Sequence, residues 1–142
     1  MSDIRLERSF SVAPERLFAA VTRQADLLQW WGPEGLHVPE HDLDLSRPGP
    51  WFSVMVNDEG QRFKVSGHVT SYDPPRSVGF TWAWHDEGDA RGPESHVTFT
   101  IAETPEGARL IVDHRELSSD DAARNHESGW GSSLNKLEAL FT

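Results

Sequence analysis

From Gly35 to Glu116 the apolar residues fall on alternate positions in run after run, and one long amphipathic stretch follows them. A period of two marks strands that bury one face, so most of the chain is committed to a sheet. The runs cover Leu36–Leu45, Trp51–Val56, Arg62–Tyr72, Ser77–His85, His96–Ile101 and Arg109–Arg115. Turn sequences separate them, at Arg47-Pro48-Gly49-Pro50, Asn57-Asp58-Glu59-Gly60, Asp73-Pro74-Pro75 and Pro105-Glu106-Gly107. Connections that short favour antiparallel neighbours over parallel βαβ units. The longer polar segment from Asp86 to Pro93 reads as a mobile loop.

Ahead of the sheet, Ile4, Leu6 and Phe10 read as one further strand with Val12 at its end. Pro14 and Glu15 then open a helix, where a proline loses no hydrogen bond and an acid complements the helix dipole. Leu17, Phe18 and Val21 give it one buried stripe, which Ala25 and Leu28 extend after a break, and Trp30-Trp31-Gly32-Pro33 ends the region. The closing helix takes Ser118 as its cap, with Asp121 three residues on. Its apolar stripe is Ala123, Trp130, Leu134, Leu137 and Phe141, flanked by His126 and Glu127.

The expected fold is α+β and of the helix-grip type. A curved antiparallel sheet of about seven strands wraps a long C-terminal helix, with short helices after the first strand. A length of 142 residues suits one domain spanning 1–142. A curved sheet around a helix need not be filled by side chains, and the leftover space is where a ligand would go.

The net charge is −10, from 23 acidic against 13 basic residues. Such a surface repels phosphate backbones and anionic lipid heads, so neither nucleic acid nor a membrane is expected as a partner. There is no cysteine, which excludes disulfides and thiolate chemistry. The charged start from Met1 to Phe10 and the absence of a long apolar run give a cytoplasmic location as the expectation. A monomer and a homodimer both remain open.

Six tryptophans in so short a chain either fill a core or line a pocket. Val78, Phe80, Trp82 and Trp84 share one strand face, which must meet the core. Facing a helical Trp130, such large rings are hard to close-pack, which favours a partly hollow core. Gly129 and Gly131 bracket Trp130, although each costs a helix about 1 kcal/mol relative to alanine. Either the sheet comes close there or the helix bends around a cavity. His114 shares the parity of Leu110 and Val112 and should point inward. A lone inward histidine is commonly a hydrogen-bonded core residue; its alternative is to orient a ligand, together with His126. The expected ligand-binding residues are Trp30, Trp31, Phe80, Trp82, Trp84, His114, His126, Trp130, Ser133 and Leu134.

His37 and His41 resemble a metal pair, but four positions along a strand span about 13 Å. A single zinc needs its ligands within about 2 Å, so the pair cannot chelate. Glu40, Asp42 and Asp44 alternate on a face without apolar neighbours and read as solvated. There is no nucleophile elbow, P-loop, dinucleotide fingerprint or HExxH helix. No metal, cofactor or catalytic residue is expected.

Three stretches carry a resemblance. Pro14-Glu15-Arg16-Leu17-Phe18, the turn-then-strand from Tyr72-Asp73-Pro74-Pro75-Arg76 to Trp82, and His126-Glu127-Ser128-Gly129-Trp130 with Leu134 and Leu137 resemble one family. It comprises the bacterial relatives of the activator of heat-shock-protein-90 ATPase, within the START-like (SRPBCC) superfamily. Arg76-Ser77, Gly131 and Asn135 depart from its usual pattern. The resemblance implies a helix-grip domain whose relatives bind lipids or antibiotics, cyclise aromatics or act as co-chaperones. The expected function is binding of a small hydrophobic or aromatic molecule between the C-terminal helix and the sheet. The alternatives are a co-chaperone-like domain whose partner is a chaperone or other protein, and an enzyme of the cyclase or hydrolase kind.

Overall fold

The first strand of the chain lies beside the last. In a computed structural model, which describes residues 2–141, β1 (Ser2–Phe10) pairs antiparallel with β7 (Gly107–Leu117), from Ser2 opposite Leu117 to Phe10 opposite Ala108. Between them run β2 (His37–Asp42), β3 (Gly49–Val56), β4 (Arg62–Asp73), β5 (Ser77–Trp84) and β6 (Ser95–Thr104). The sheet order is β1-β7-β6-β5-β4-β3-β2, so β2 to β7 form an unbroken meander and β1 completes one edge. Every neighbouring pair is antiparallel. The short α1 (Pro14–Ala20) and α2 (Gln24–Leu27) follow β1, and the long α3 (Asp120–Leu140) ends the chain. This is the helix-grip architecture that the alternation in the sequence predicts.

Strand ends moved where tertiary contacts outweighed periodicity. The run Leu36–Leu45 leaves the ladder after Asp42, because Leu43 and Leu45 turn fully into the core. Their amides find partners on the helical segment instead. Leu43 N–H donates to Oε1 of Gln24 (3.1 Å), and Leu45 N–H donates to the Thr22 carbonyl (2.8 Å). Conversely, β3 begins within the Pro48-Gly49-Pro50 turn signal, since Gly49 and Pro50 already pair with Val69 and His68. Pro50 is tolerated because β2 pairs with β3 only as far as Phe52, which leaves the other side of Pro50 without a ladder.

The cap of α3 is Ser119 rather than Ser118, its side chain accepting from the Ala122 N–H (3.1 Å). Asp120 and Asp121 in the first turn complement the helix dipole. The buried stripe of α3 comprises Ala123, Trp130, Ser133, Leu134 and Leu137. Trp130 packs against Trp82 of β5 and Phe99 of β6, with ring centroids 5.3 and 5.7 Å apart. Phe141 closes the far end edge-on to Phe10 (5.7 Å).

The polar segment after β5 closes on itself through several hydrogen bonds. Asp86 N–H donates to the Ala90 carbonyl (2.9 Å), and Gly92 N–H to the Trp84 carbonyl (2.8 Å). The Asp86 carboxylate also accepts from the amides of Gly88 and Ala90. Among the described residues, no helix is long and apolar enough to cross a membrane.

Candidate functional site

The helix break supplies one wall of a cavity. After α2 the amides of Trp30 and Trp31 both close on the Leu27 carbonyl, and Gly32 then turns the chain at φ +86°. A side chain at Gly32 would be strained by that angle and would press on the Met55 sulfur, 3.0 Å from an added Cβ. The two adjacent indoles therefore leave the break in different directions. Trp30 is fully buried, and its N–H donates to the Ala20 carbonyl (2.9 Å), tying α1 to the break. Trp31 donates to Ser53 Oγ (2.9 Å) and meets Trp51, Trp82 and Trp130 at centroid distances of 5.7, 5.8 and 5.9 Å.

The cavity has a volume of about 490 Å³. Trp31, Gly32 and Pro33 border it on the break, Met55 and Phe63 on β3 and β4, and Trp82 and Trp84 on β5. Helix α3 contributes Ala122, Asn125, His126, Gly129, Trp130 and Ser133. None of these side chains is charged, although the protein carries −10 overall. Of the residues expected from sequence, Trp31, Trp82, Trp84, His126, Trp130 and Ser133 border the cavity. Trp30, Phe80, His114 and Leu134 lie behind its wall, fully or almost fully buried.

Two histidines back or border this wall, and each receives an indole N–H. Trp130 Nε1–H donates to His114 Nδ1 (3.0 Å), and Trp84 Nε1–H to His126 Nε2 (2.9 Å). An indole can only donate, so each contacted ring nitrogen must be an unprotonated acceptor. The His114 proton therefore sits on Nε2 and is given to Ser95 Oγ (2.8 Å), whose hydroxyl donates to the Trp82 carbonyl (3.2 Å). In His126 the proton sits on Nδ1 and is given to the Ala122 carbonyl (2.6 Å).

Both rings are thus held neutral, in opposite tautomers, with centroids 4.9 Å apart. Burial pushes the His114 pKa down to about 3, helped by the neighbouring His126 and His96. Burial also lowers that of His126, against an opposing contribution from the Ala122 carbonyl. Neither is placed as a proton donor near neutral pH, and Ser133 spends its hydroxyl on the Gly129 carbonyl (3.0 Å).

Two indole N–H groups, those of Trp51 and Trp82, are buried without a hydrogen-bond partner. Asn125 is exposed at the cavity border and its amide makes no hydrogen bond, so it is the freest polar group there. Sequence reasoning missed it, along with Met55 and Phe63. Phe63 was findable, because it shares parity with the buried Val65 and Val69. Gly129 borders the cavity and its added Cβ would only touch Pro33 at 3.7 Å, so no close approach of the sheet requires a glycine there.

The segment from Gly32 to Glu34 is latched to α3. Glu34 N–H donates to Ser132 Oγ (2.7 Å), the Ser132 hydroxyl donates to Glu34 Oε1 (3.2 Å), and Lys136 Nζ donates to the Gly32 carbonyl (3.1 Å). Burial lowers the Lys136 pKa, while the Glu34 carboxylate works against that. Among the described residues, no group of three or more histidine or carboxylate side chains could hold a metal ion.

The profile of the family described as Activator of Hsp90 ATPase homolog 1-like protein matches residues 11–142. The crystal structure of the AHSA1 protein from Silicibacter pomeroyi is 66% identical, with a TM-score of 0.94 over 98% of this chain and 96% of that one. A protein from Chromobacterium violaceum is 28% identical at a TM-score of 0.83, covering 98% of this chain and 96% of its own. A protein from Mycobacterium smegmatis shares the fold at 22% identity and a TM-score of 0.81, over 99% and 90% of the two chains. No curated protein of assigned function matches. On the profile match and the two-thirds identity together, the chain belongs to the Activator of Hsp90 ATPase homolog 1-like family, within the START-like superfamily.

Proposed function

We propose that the cavity between α3 and the sheet binds a small, uncharged, hydrophobic or aromatic molecule. The observation that carries this reading is the meeting of Trp31, Trp82, Trp84 and Trp130 around about 490 Å³ with no charged side chain on the wall. A charged ligand would lose its hydration there without a counter-ion, whereas a flat apolar one gains ring contacts on several sides. Burying roughly 200 Å² of ligand contributes about 5 kcal/mol. Association costs are of the same order, so affinity needs polar contacts as well. Asn125, exposed at the cavity border, is the polar group available to a ligand carbonyl or ether.

Family membership supports a ligand-binding or co-chaperone-type domain in general. Among the described residues, the large exposed apolar side chains are Phe63, Tyr72 and Leu140; two of them stand at opposite ends of β4 and the third ends α3. That dispersion gives a protein partner no continuous apolar patch to dock on, so the cavity reading is preferred. Acid–base chemistry by His114 and His126 is disfavoured by their locked neutral tautomers.

The test is a thermal-shift screen of neutral aromatic and aliphatic molecules, read in parallel by tryptophan emission. Binding in the cavity raises the melting temperature and changes emission together, and Trp84→Ala weakens both. A broad library that moves neither readout rejects the proposal.

A further inference from the structure

On the opposite, outer face of the sheet, three side chains stand in line. Ser66 lies at the middle of β4, opposite Ala83 of β5, and His85 follows the end of β5 with its amide on the Lys64 carbonyl (2.9 Å). Ser66 Oγ is 2.6 Å from His85 Nε2, and His85 Nδ1 is 2.8 Å from Oδ1 of Asp89. Asp89 is carried by the closed loop after β5, where its backbone takes the left-handed φ of +67°.

The protons can be placed from donor and acceptor capacity alone. Arg91 only donates, and its Nε–H points at Ser66 Oγ (3.0 Å) while Nη2 donates to the Ser66 carbonyl (3.1 Å). The serine hydroxyl proton is therefore free to go to His85 Nε2. The Asp89 carboxylate only accepts, so Nδ1 of His85 carries the other proton. Hydrogen bonds from Lys64, first, and from His85 hold the Asp89 carboxyl below the usual carboxylate range. Lys64 Nζ reaches Asp89 Oδ1 at 3.1 Å. This is the serine–histidine–carboxylate relay in the direction that removes a proton from the serine, and such relays are recognised by geometry and not by fold.

We propose that Ser66, His85 and Asp89 form a nucleophilic triad that takes the acyl group of small, uncharged carboxylic esters. Ser66 Oγ bonds to the ester carbonyl carbon, its proton passes to His85 Nε2, and His85 returns that proton to the departing alkoxide as the C–O bond breaks. Water then attacks the acyl carbon, giving one proton to His85, and the acid leaves as Ser66 Oγ regains its hydrogen. The Arg91 guanidinium lies against the same oxygen, where its charge stabilises the negative character that develops as the proton leaves. Phe52, opposite Ser66 on β3 and half-buried, is the apolar side chain beside the serine, with the Lys64 ammonium 5.4 Å over its ring. The His85 ring is only 9% exposed, whereas Asp89 is 66% exposed and acts through His85 as a positioning residue. A carboxylate so open to water orients its partner weakly, so slow turnover is expected.

The experiment treats the full chain with a fluorophosphonate and separately with p-nitrophenyl acetate. A covalent adduct on the Ser66 peptide is expected, together with ester hydrolysis. Ser66→Ala removes both while the chain still melts cooperatively, and Ser66→Cys, which keeps a nucleophile on the same strand position, retains labelling. His85→Gln slows labelling roughly a hundredfold. Asp89→Asn slows it less and displaces the pH profile of the labelling rate, which a residue that merely anchors the loop would not do. No adduct, an adduct elsewhere, or undiminished labelling in Ser66→Ala or His85→Gln overturns the proposal. The cavity lies on the other face, so failure here leaves the ligand-binding reading standing.

Discussion

The indole N–H of Trp130 donates to Nδ1 of His114 across 3.0 Å, so a helix side chain and a strand side chain satisfy one another inside the core. Removing the donor alone leaves a buried acceptor unpaired. Trp130→Phe is therefore expected to cost about 1–3 kcal/mol for that acceptor, in addition to any packing loss. Urea unfolding checks it, and His114→Phe in the Trp130→Phe background should recover part of the loss. A double mutant that is simply additive would refute the coupling.

Stability should depend on pH through the same ring. The native His114 pKa of about 3 lies below its ordinary value of 6.5, so the unfolded chain binds a proton that the native state refuses. Stability is then fully present above about pH 6.5 and is lost as pH falls toward 3, by up to roughly 5 kcal/mol. His126, shifted in the same direction, adds to the slope. Melting temperatures measured from pH 7.5 to 4 should fall steeply in the wild type and less steeply in His114→Gln.

Adding a methyl group to α3 separates stability from binding. Gly131→Ala meets only Leu6 at 4.0 Å and Gly129→Ala only Pro33 at 3.7 Å, so both have room. Each is expected to stabilise the helix by about 0.5–1 kcal/mol. Only Gly129→Ala enters the cavity border, so it alone should weaken a ligand found in the screen. Calorimetry with that ligand distinguishes the two variants.

The Ser132 latch gives a local prediction. The Glu34 amide donates to Ser132 Oγ, and Ser132→Ala frees it. Its hydrogen exchange should accelerate several-fold while that of the core strands is unchanged, with a stability loss of about 0.5–1.5 kcal/mol. Amide exchange measured by NMR or mass spectrometry reads this directly.

Much of the fold was legible because the alternation is strict. Trp82 and Trp84 flanking Ala83 put the indoles on one side of β5 before any neighbour is known, and the inward parity of His114 follows likewise. Trp30 and Trp31 were not separable, since adjacent residues at a helix break have no period, and only the Ala20 carbonyl and the Ser53 hydroxyl send them apart. Ser118 and Ser119 are equally good caps on paper; the choice depends on where β7 releases the chain, at Leu117. The histidine tautomers and the Ser66–His85–Asp89 line depend on partners from separate elements, which no contiguous motif records.

The pairing of β1 with β7 also has a consequence in time. Ser2 is synthesised well before its partner Leu117 exists. Until then β1 has no ladder, and its apolar side, Ile4 and Phe10, has no finished core to bury it. Closing the sheet by joining such distant segments is slow, because the loop entropy is lost before the contacts form. The emerging chain therefore spends its synthesis with one sticky edge waiting, and that interval is when the protein is most exposed to pairing with the wrong strand.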